Sequence, residues 1–267
     1  MHRKPVVAGM FYPLDSEALE RTLSKLFAGA KSGDLACVIS PHAGYKYSGR
    51  TAASAISSLK SAKTFIILGP NHNMIGPEFS MMSAGEWETP LGKVGIDSKL
   101  AKELEKCGVL EEDSLAHAHE HSIEVQLPFL QHRFKNFGIV PISIGGDYSD
   151  EFLEKCVLLG RQIAKSAKGK SVGIIASSDF SHYLPAKIAD AKDAKAIERI
   201  SVFDVKGFLE TLEAIDASVC GYAPIAVAMS AAKAMGMKGA KVISHSNSGD
   251  ATGDCSSVVA YYAIGFE

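Results

Sequence analysis

No two of the five cysteines, at positions 37, 107, 156, 220 and 255, form a C-x-x-C pair. That spacing excludes a zinc knuckle and a thioredoxin-type dithiol. An odd number of scattered cysteines fits a reducing compartment better than a disulfide framework. No apolar run approaches the ~20 residues of a membrane-spanning helix. The opening residues Met1-His2-Arg3-Lys4-Pro5 hold no apolar segment of a signal peptide. Charge of either sign is not in excess: the net value is -2 at pH 7, which offers nothing to nucleic acid or to an anionic membrane. The expected location is the cytoplasm. Internal repeats and long linkers are also missing, so one domain over 1–267 is expected.

What is present is a full core. Of the 267 residues, 46% are hydrophobic and 22% charged, as in a globular α/β chain. Three apolar runs of strand length each end in a turn that carries a histidine. Leu35-Ala36-Cys37-Val38-Ile39 leads to Ser40-Pro41-His42-Ala43-Gly44-Tyr45. Phe65-Ile66-Ile67-Leu68 leads to Gly69-Pro70-Asn71-His72. Val172-Gly173-Ile174-Ile175-Ala176 leads to Ser177-Ser178-Asp179-Phe180-Ser181-His182. In open α/β sheets the crevice at the carboxyl ends of the strands is where ligands bind. One such histidine is a turn cap; three in corresponding places point to a site.

The rest of the chain alternates in the same way. Helices are expected over 16–27, 50–60, 98–106, 150–167, 186–200, 204–215 and 224–235. Strands are expected over 138–146, 240–246 and 256–264, and residues 79–96 read as strand, turn and strand. The two strands flanking the 50–60 helix should be parallel. Cys37 and Cys156 lie in apolar runs and are expected in the core. Phe11, Tyr12 and Tyr45 are candidates for a pocket wall, with simple hydrophobic anchoring as the alternative.

His117-Ala118-His119-Glu120-His121 is the densest histidine cluster, and a helix is expected to begin near His121. It is not H-E-x-x-H, since Ile123 stands four residues after His119, which argues against a zincin. A zinc hydrolase built on His117, His119 and His121 rests on histidine density alone. His117 reads as a solvated loop residue, while His121 is placed to donate to a bound oxygen or anion. Cys220 precedes Gly221 and a helix whose start is near Pro224, and a helix N-terminus stabilises a thiolate. His42, His72 and Cys220 then make an N,N,S donor set with open positions. Such a set suits Fe(II), Cu or Zn rather than Mg or Ca. Fe(II) is the leading expectation, ahead of Cu and then Zn. Asp179 and His182, three residues apart, read as a carboxylate–histidine pair that sets a general base.

These segments, with the opening Ala8-Gly9-Met10-Phe11-Tyr12-Pro13 and with Cys220-Gly221, resemble the Memo family in order and from end to end. The resemblance implies a fold like that of the class III extradiol dioxygenases, a mixed central sheet flanked by helices. It implies metal ligation at His42, His72 and Cys220, and an acid/base role at His182. In the dioxygenases the third ligand is a carboxylate, so the cysteine is a departure that weakens any inference of ring cleavage. It further implies metal-dependent redox or O2 chemistry, or else a silent pocket that binds phosphorylated or carboxylated peptides or ligands. The protein partners that the resemblance implies are a radical-SAM protein and an AMMECR-type protein.

Overall fold

The computed structural model describes residues 1–267, and the expected alternation of strands and helices is visible along it. The first half runs β1 (His2–Arg3), α1 (Ser16–Phe27), β2 (Cys37–Ser40), α2 (Tyr45–Ser57) and β3 (Thr64–Pro70). It continues through β4 (Phe79–Met81), β5 (Glu86–Thr89), β6 (Gly92–Gly95), α3 (Ser98–Leu104) and β7 (Glu111–Glu112). Next come α4 (Leu115–Ala118), α5 (Gln126–Arg133), β8 (Gly138–Ile144), α6 (Asp150–Ala167), β9 (Val172–Ser177) and β10 (His182–Leu184). The chain ends with α7 (Ala186–Ser201), α8 (Val205–Ala214), α9 (Tyr222–Ala234), β11 (Ala240–Asn247), α10 (Gly249–Thr252) and β12 (Val258–Phe266).

Nine strands form the main sheet in the order β10-β12-β2-β9-β3-β8-β4-β7, with β11 paired on β12. Its centre, β2-β9-β3-β8, is parallel, while β12 and β4 join on either side antiparallel. This is the mixed α/β sheet expected. β2 and β3 are parallel, as their connection by α2 requires, but they are not neighbours: β9 lies between them and pairs with both. A separate three-stranded sheet, β1-β5-β6, holds the hairpin around Pro90-Leu91 against the N-terminus.

Successive side chains of the central strands alternate between two cores, as the pleat demands. Ile39, Ile66, Leu68, Ile174 and Ala176 join one cluster with α6, α8 and α9. Val38, Phe65, Ile67 and Ile175 join the other with α1, α2 and α5. Helices therefore cover both faces, which is why these strands are continuously apolar rather than alternating. Each such Val, Leu or Ile contributes on the order of 1.5–3 kcal/mol by leaving water.

Register is what matters for the site. Ser40 pairs with Ser177, and Ala176 pairs with Leu68. The three strands thus end level, and the turns that follow them meet on one edge. Three local boundaries differ from expectation. α2 starts at Tyr45 rather than Arg50, because the Tyr45 N–H donates to Phe11 O and its buried ring anchors the first turn. α5 starts at Gln126 rather than near His121, because the N–H groups of His121 and Ser122 donate to the Glu120 carboxylate. α9 starts at Tyr222, two residues before Pro224.

Candidate metal centre

The turns after β2 and β3 and the start of α9 bring His42, His72 and Cys220 together. One ligand atom from each lies within 4.8 Å of the others. Cys220 Sγ is 3.3 Å from His42 Nε2. The approach depends on a missing side chain. A Cβ on Gly221 would stand 2.4 Å from Ser177 O and from Ser178 Cβ, so only glycine lets the start of α9 reach the end of β9. Gly69 does the same on the other side, where a Cβ would meet Ser122 Oγ at 2.5 Å.

The hydrogen bonds decide which nitrogen of each histidine is free. Ser177 has a single hydroxyl proton, and it goes to the Ser122 carbonyl at 2.7 Å. Gln126 Nε2 is fixed as the nitrogen because it faces Pro41 O at 2.9 Å while Ser40 Oγ donates to Oε1. That nitrogen also donates to Ser177 Oγ. His42 Nδ1, 2.9 Å from the same Oγ, must therefore carry a proton and donate it. His42 Nε2 is left with its lone pair. Burial, reinforced by His72, His121 and His182, lowers the His42 pKa and keeps the ring neutral.

His72 is held differently. Its Nδ1–H donates to Glu120 Oε1 at 3.0 Å and its backbone N–H to Oε2 at 2.7 Å. Burial alone would raise the Glu120 carboxyl. The hydrogen bonds from His72 and Ser122 and the neighbouring imidazoles override it, and hold the group down at about 2. His72 Nε2 is thereby free as well. His121 stacks on His72 at 4.8 Å and packs against Phe11 at 4.9 Å. His72, Glu120 and His121 also have ligand-like spacing. Four N–H groups already occupy the Glu120 carboxylate, however, so this trio is a support for His72.

Asp179 and His182 do not pair. The chain from Ser178 to Ser181 is not helical, so a three-residue separation brings nothing together. Asp179 instead accepts the His42 backbone N–H at 2.9 Å, with its second oxygen 4.0 Å from His42 Nε2. Burial pushes the Asp179 carboxyl up to about 7, although the N–H groups of His42 and Ala43 oppose the shift. The His182 tautomer is set by Ser218, whose carbonyl accepts the Nδ1–H at 2.7 Å. Its Nε2 is consequently free, and burial lowers its pKa.

Cys220 also departs from expectation. It does precede a helix, and the Asp179 N–H reaches its sulfur at 3.3 Å. Yet burial and the Asp179 charge push the free thiol up rather than down. The helix terminus alone does not hold a thiolate here; a cation between Sγ and the two Nε2 atoms would. Three lone-pair atoms converging without a protein cation is the donor set a borderline metal ion fits.

Phe11, Tyr12 and Tyr45 do line a pocket, of about 490 Å³, together with Lys25 and Lys46. Two of the three also anchor the interior: the Tyr12 hydroxyl donates to Glu124 and that of Tyr45 to the Val125 carbonyl. His117 is not a solvated loop residue. It is fully buried against Trp87, with neither ring nitrogen hydrogen-bonded. His119 is exposed and apart, so no three-histidine site forms there. Sequence reasoning missed the supports Ser177, Gln126 and Glu120. Only Glu120 left a signal, as a carboxylate set between two histidines.

The profile of the family described as Memo-like protein matches residues 3–265. A MEMO1 family protein of Methanosarcina barkeri is 43% identical over 265 residues, covering 98% of each chain. Another, from Methanopyrus kandleri, is 41% identical over 284 residues, covering 100% of this chain and 99% of its own. Among solved structures, an uncharacterized protein from Escherichia coli K12 aligns with a TM-score of 0.56 at 11% identity. That alignment covers 86% of this chain and 99% of the other, and it speaks to fold alone. No helix is long and apolar enough to cross a membrane.

Proposed function

This chain belongs to the Memo-like protein family, and from that premise we propose that it is a metal-dependent protein performing redox or O2 chemistry at its strand-end crevice. One observation carries the reading. His42 and His72 both commit Nδ1–H to a neighbour, His42 Nε2 lies 3.3 Å from Cys220 Sγ, and a ring nitrogen of His72 lies within 4.8 Å of both. An ion bound there would supply a Lewis-acidic centre with open positions, redox-capable with Fe(II), the first candidate, or with Cu, and Lewis-acidic only with Zn.

The chain's own groups then divide the remaining work. His182 Nε2 accepts a proton and returns it, with Ser218 holding the ring in one tautomer. Asp179, which accepts the His42 backbone N–H and lies beside Cys220, is the buried carboxyl placed to hold or release a proton there. His121 donates to an anionic oxygen, and its stack on His72 keeps it at the rim. Phe11, Tyr12 and Tyr45 line a separate pocket, which none of His42, His72 and Cys220 lines and which Phe11 links to the centre through its contact with His121.

Metal analysis of protein purified without added metal tests the proposal. About one ion per chain is expected, lost in both His42→Ala and Cys220→Ser; full occupancy in either variant refutes the assignment. A second reading draws on Lys25 and Lys46 beside the aromatic wall. They would suit a phosphorylated or carboxylated ligand bound without turnover. Tight, salt-sensitive binding of a phosphotyrosine peptide with no O2 consumption would favour it.

A further inference from the structure

Arg3 is the most entangled residue outside the crevice. It lies in β1, is 5% exposed, and directs its guanidinium mainly to one loop, with one further bond from Nη1 to Lys4 O at 3.3 Å. Nε donates to His117 O at 2.7 Å and Nη2 to Glu120 O at 2.6 Å. Nη1 donates to Glu124 Oε2 at 2.8 Å, and the plane sits 4.0 Å over the Trp87 ring. Glu124, with no exposed surface, accepts in turn from the N–H groups of Val6 and Val7 and from the Tyr12 hydroxyl. The N-terminal segment and the 117–124 loop are thus tied by one buried ion pair. The residue whose carbonyl Arg3 grips is the one whose carboxylate grips His72.

We propose that Arg3 is a positioning residue of the metal centre. Through the Glu120 backbone it sets the carboxylate that orients His72. The inference rests on the metal reading above, but its geometric half concerns the chain alone. A lysine would keep the charge opposite Glu124, yet one ammonium cannot replace a planar fork that reaches two carbonyls and a carboxylate. An arginine required for its shape, rather than its charge, is what the three separate acceptors imply.

The test uses full-length Arg3→Lys and Arg3→Gln beside the unaltered protein and Glu120→Gln. Arg3→Lys is the decisive variant should Arg3→Gln not fold. In metal-free protein at pH 7.5, imidazole ¹⁵N NMR reads the His72 tautomer. Pure Nδ1–H is expected in the unaltered protein, and a mixture in Arg3→Lys and Glu120→Gln. Co(II) titration then reads the centre. Arg3→Lys should bind 10- to 100-fold more weakly, the usual cost of losing a support for a ligating histidine, while keeping the thiolate-to-Co(II) absorption band. A folded Arg3→Lys with unaltered tautomer and Co(II) affinity overturns the proposal. If the unaltered protein gives no thiolate band, the metal reading fails. The NMR comparison then still decides whether Arg3 sets His72.

Discussion

His42 and His72 face the same point from opposite walls, and they are held by opposite chemistry. The His42 wall is neutral: Ser177, Gln126 and Ser40 form a closed chain of hydroxyl and amide bonds with no net charge. Its one carboxyl, Asp179, is pushed up to about 7 by burial. The His72 wall carries a permanent charge, Glu120 at about 2, surrounded by four N–H donors. A buried carboxylate stays ionised only where donors replace the water it lost. Glu120 has them and Asp179 largely does not. The consequence for ligation is an unequal pair: His72 is oriented by a charged carboxylate through two hydrogen bonds, whereas His42 is oriented by a neutral hydroxyl.

The largest effect should follow removal of the charged support. Glu120→Ala strands four N–H groups, two on the His72 side and two on its own loop. We expect roughly 4 kcal/mol lower stability in urea unfolding and about 100-fold weaker metal binding. His117 sharpens the contrast, because no partner within hydrogen-bond geometry meets either of its ring nitrogens. Burial, with Arg3 nearby, lowers its pKa to about 4. The folded state then binds fewer protons than the unfolded chain between pH 6.5 and 4. Stability is complete above pH 6.5 and falls as the pH drops through that window, by up to about 3 kcal/mol. Metal-free His117→Leu should have a shallower slope in a pH series of thermal melts, the remainder belonging to His42, His121 and His182; an unchanged slope would place the titration elsewhere. The smallest effect is expected at the neutral wall. Ser177→Ala should cost about 10-fold in metal affinity and about 1–2 kcal/mol in stability. Should Ser177→Ala cost as much as Glu120→Ala, the charge of the support is irrelevant and the comparison collapses.

Much of this was legible in the sequence. The apolar runs ending in His42 and His72 marked strands and strand-end turns, since a strand buried on both faces reads as an unbroken apolar run. The helix start after Cys220-Gly221 marked Cys220 as standing at a helix N-terminus. The motif order resembled the Memo family, and the chain belongs to it. Less legible was anything that depends on which elements become neighbours. Asp179 and His182 looked like a pair because three residues separate them, but the backbone between them is not helical. His117 read as a solvated loop histidine, yet it is buried against Trp87.

By itself, then, the sequence determined the element order, the histidines at the strand ends that cluster with Cys220, and the family. Local pattern is enough for these, because pleat and helix periods act over a few residues. Tertiary structure alone decided that β9 inserts between β2 and β3, so that Ser177 reaches His42 and Asp179 takes its backbone N–H across 137 positions. It alone decided that Arg3 would reach Glu120 across 117. Such pairings are set by strand order and register, which bring together atoms whose separation along the chain carries no periodic signal.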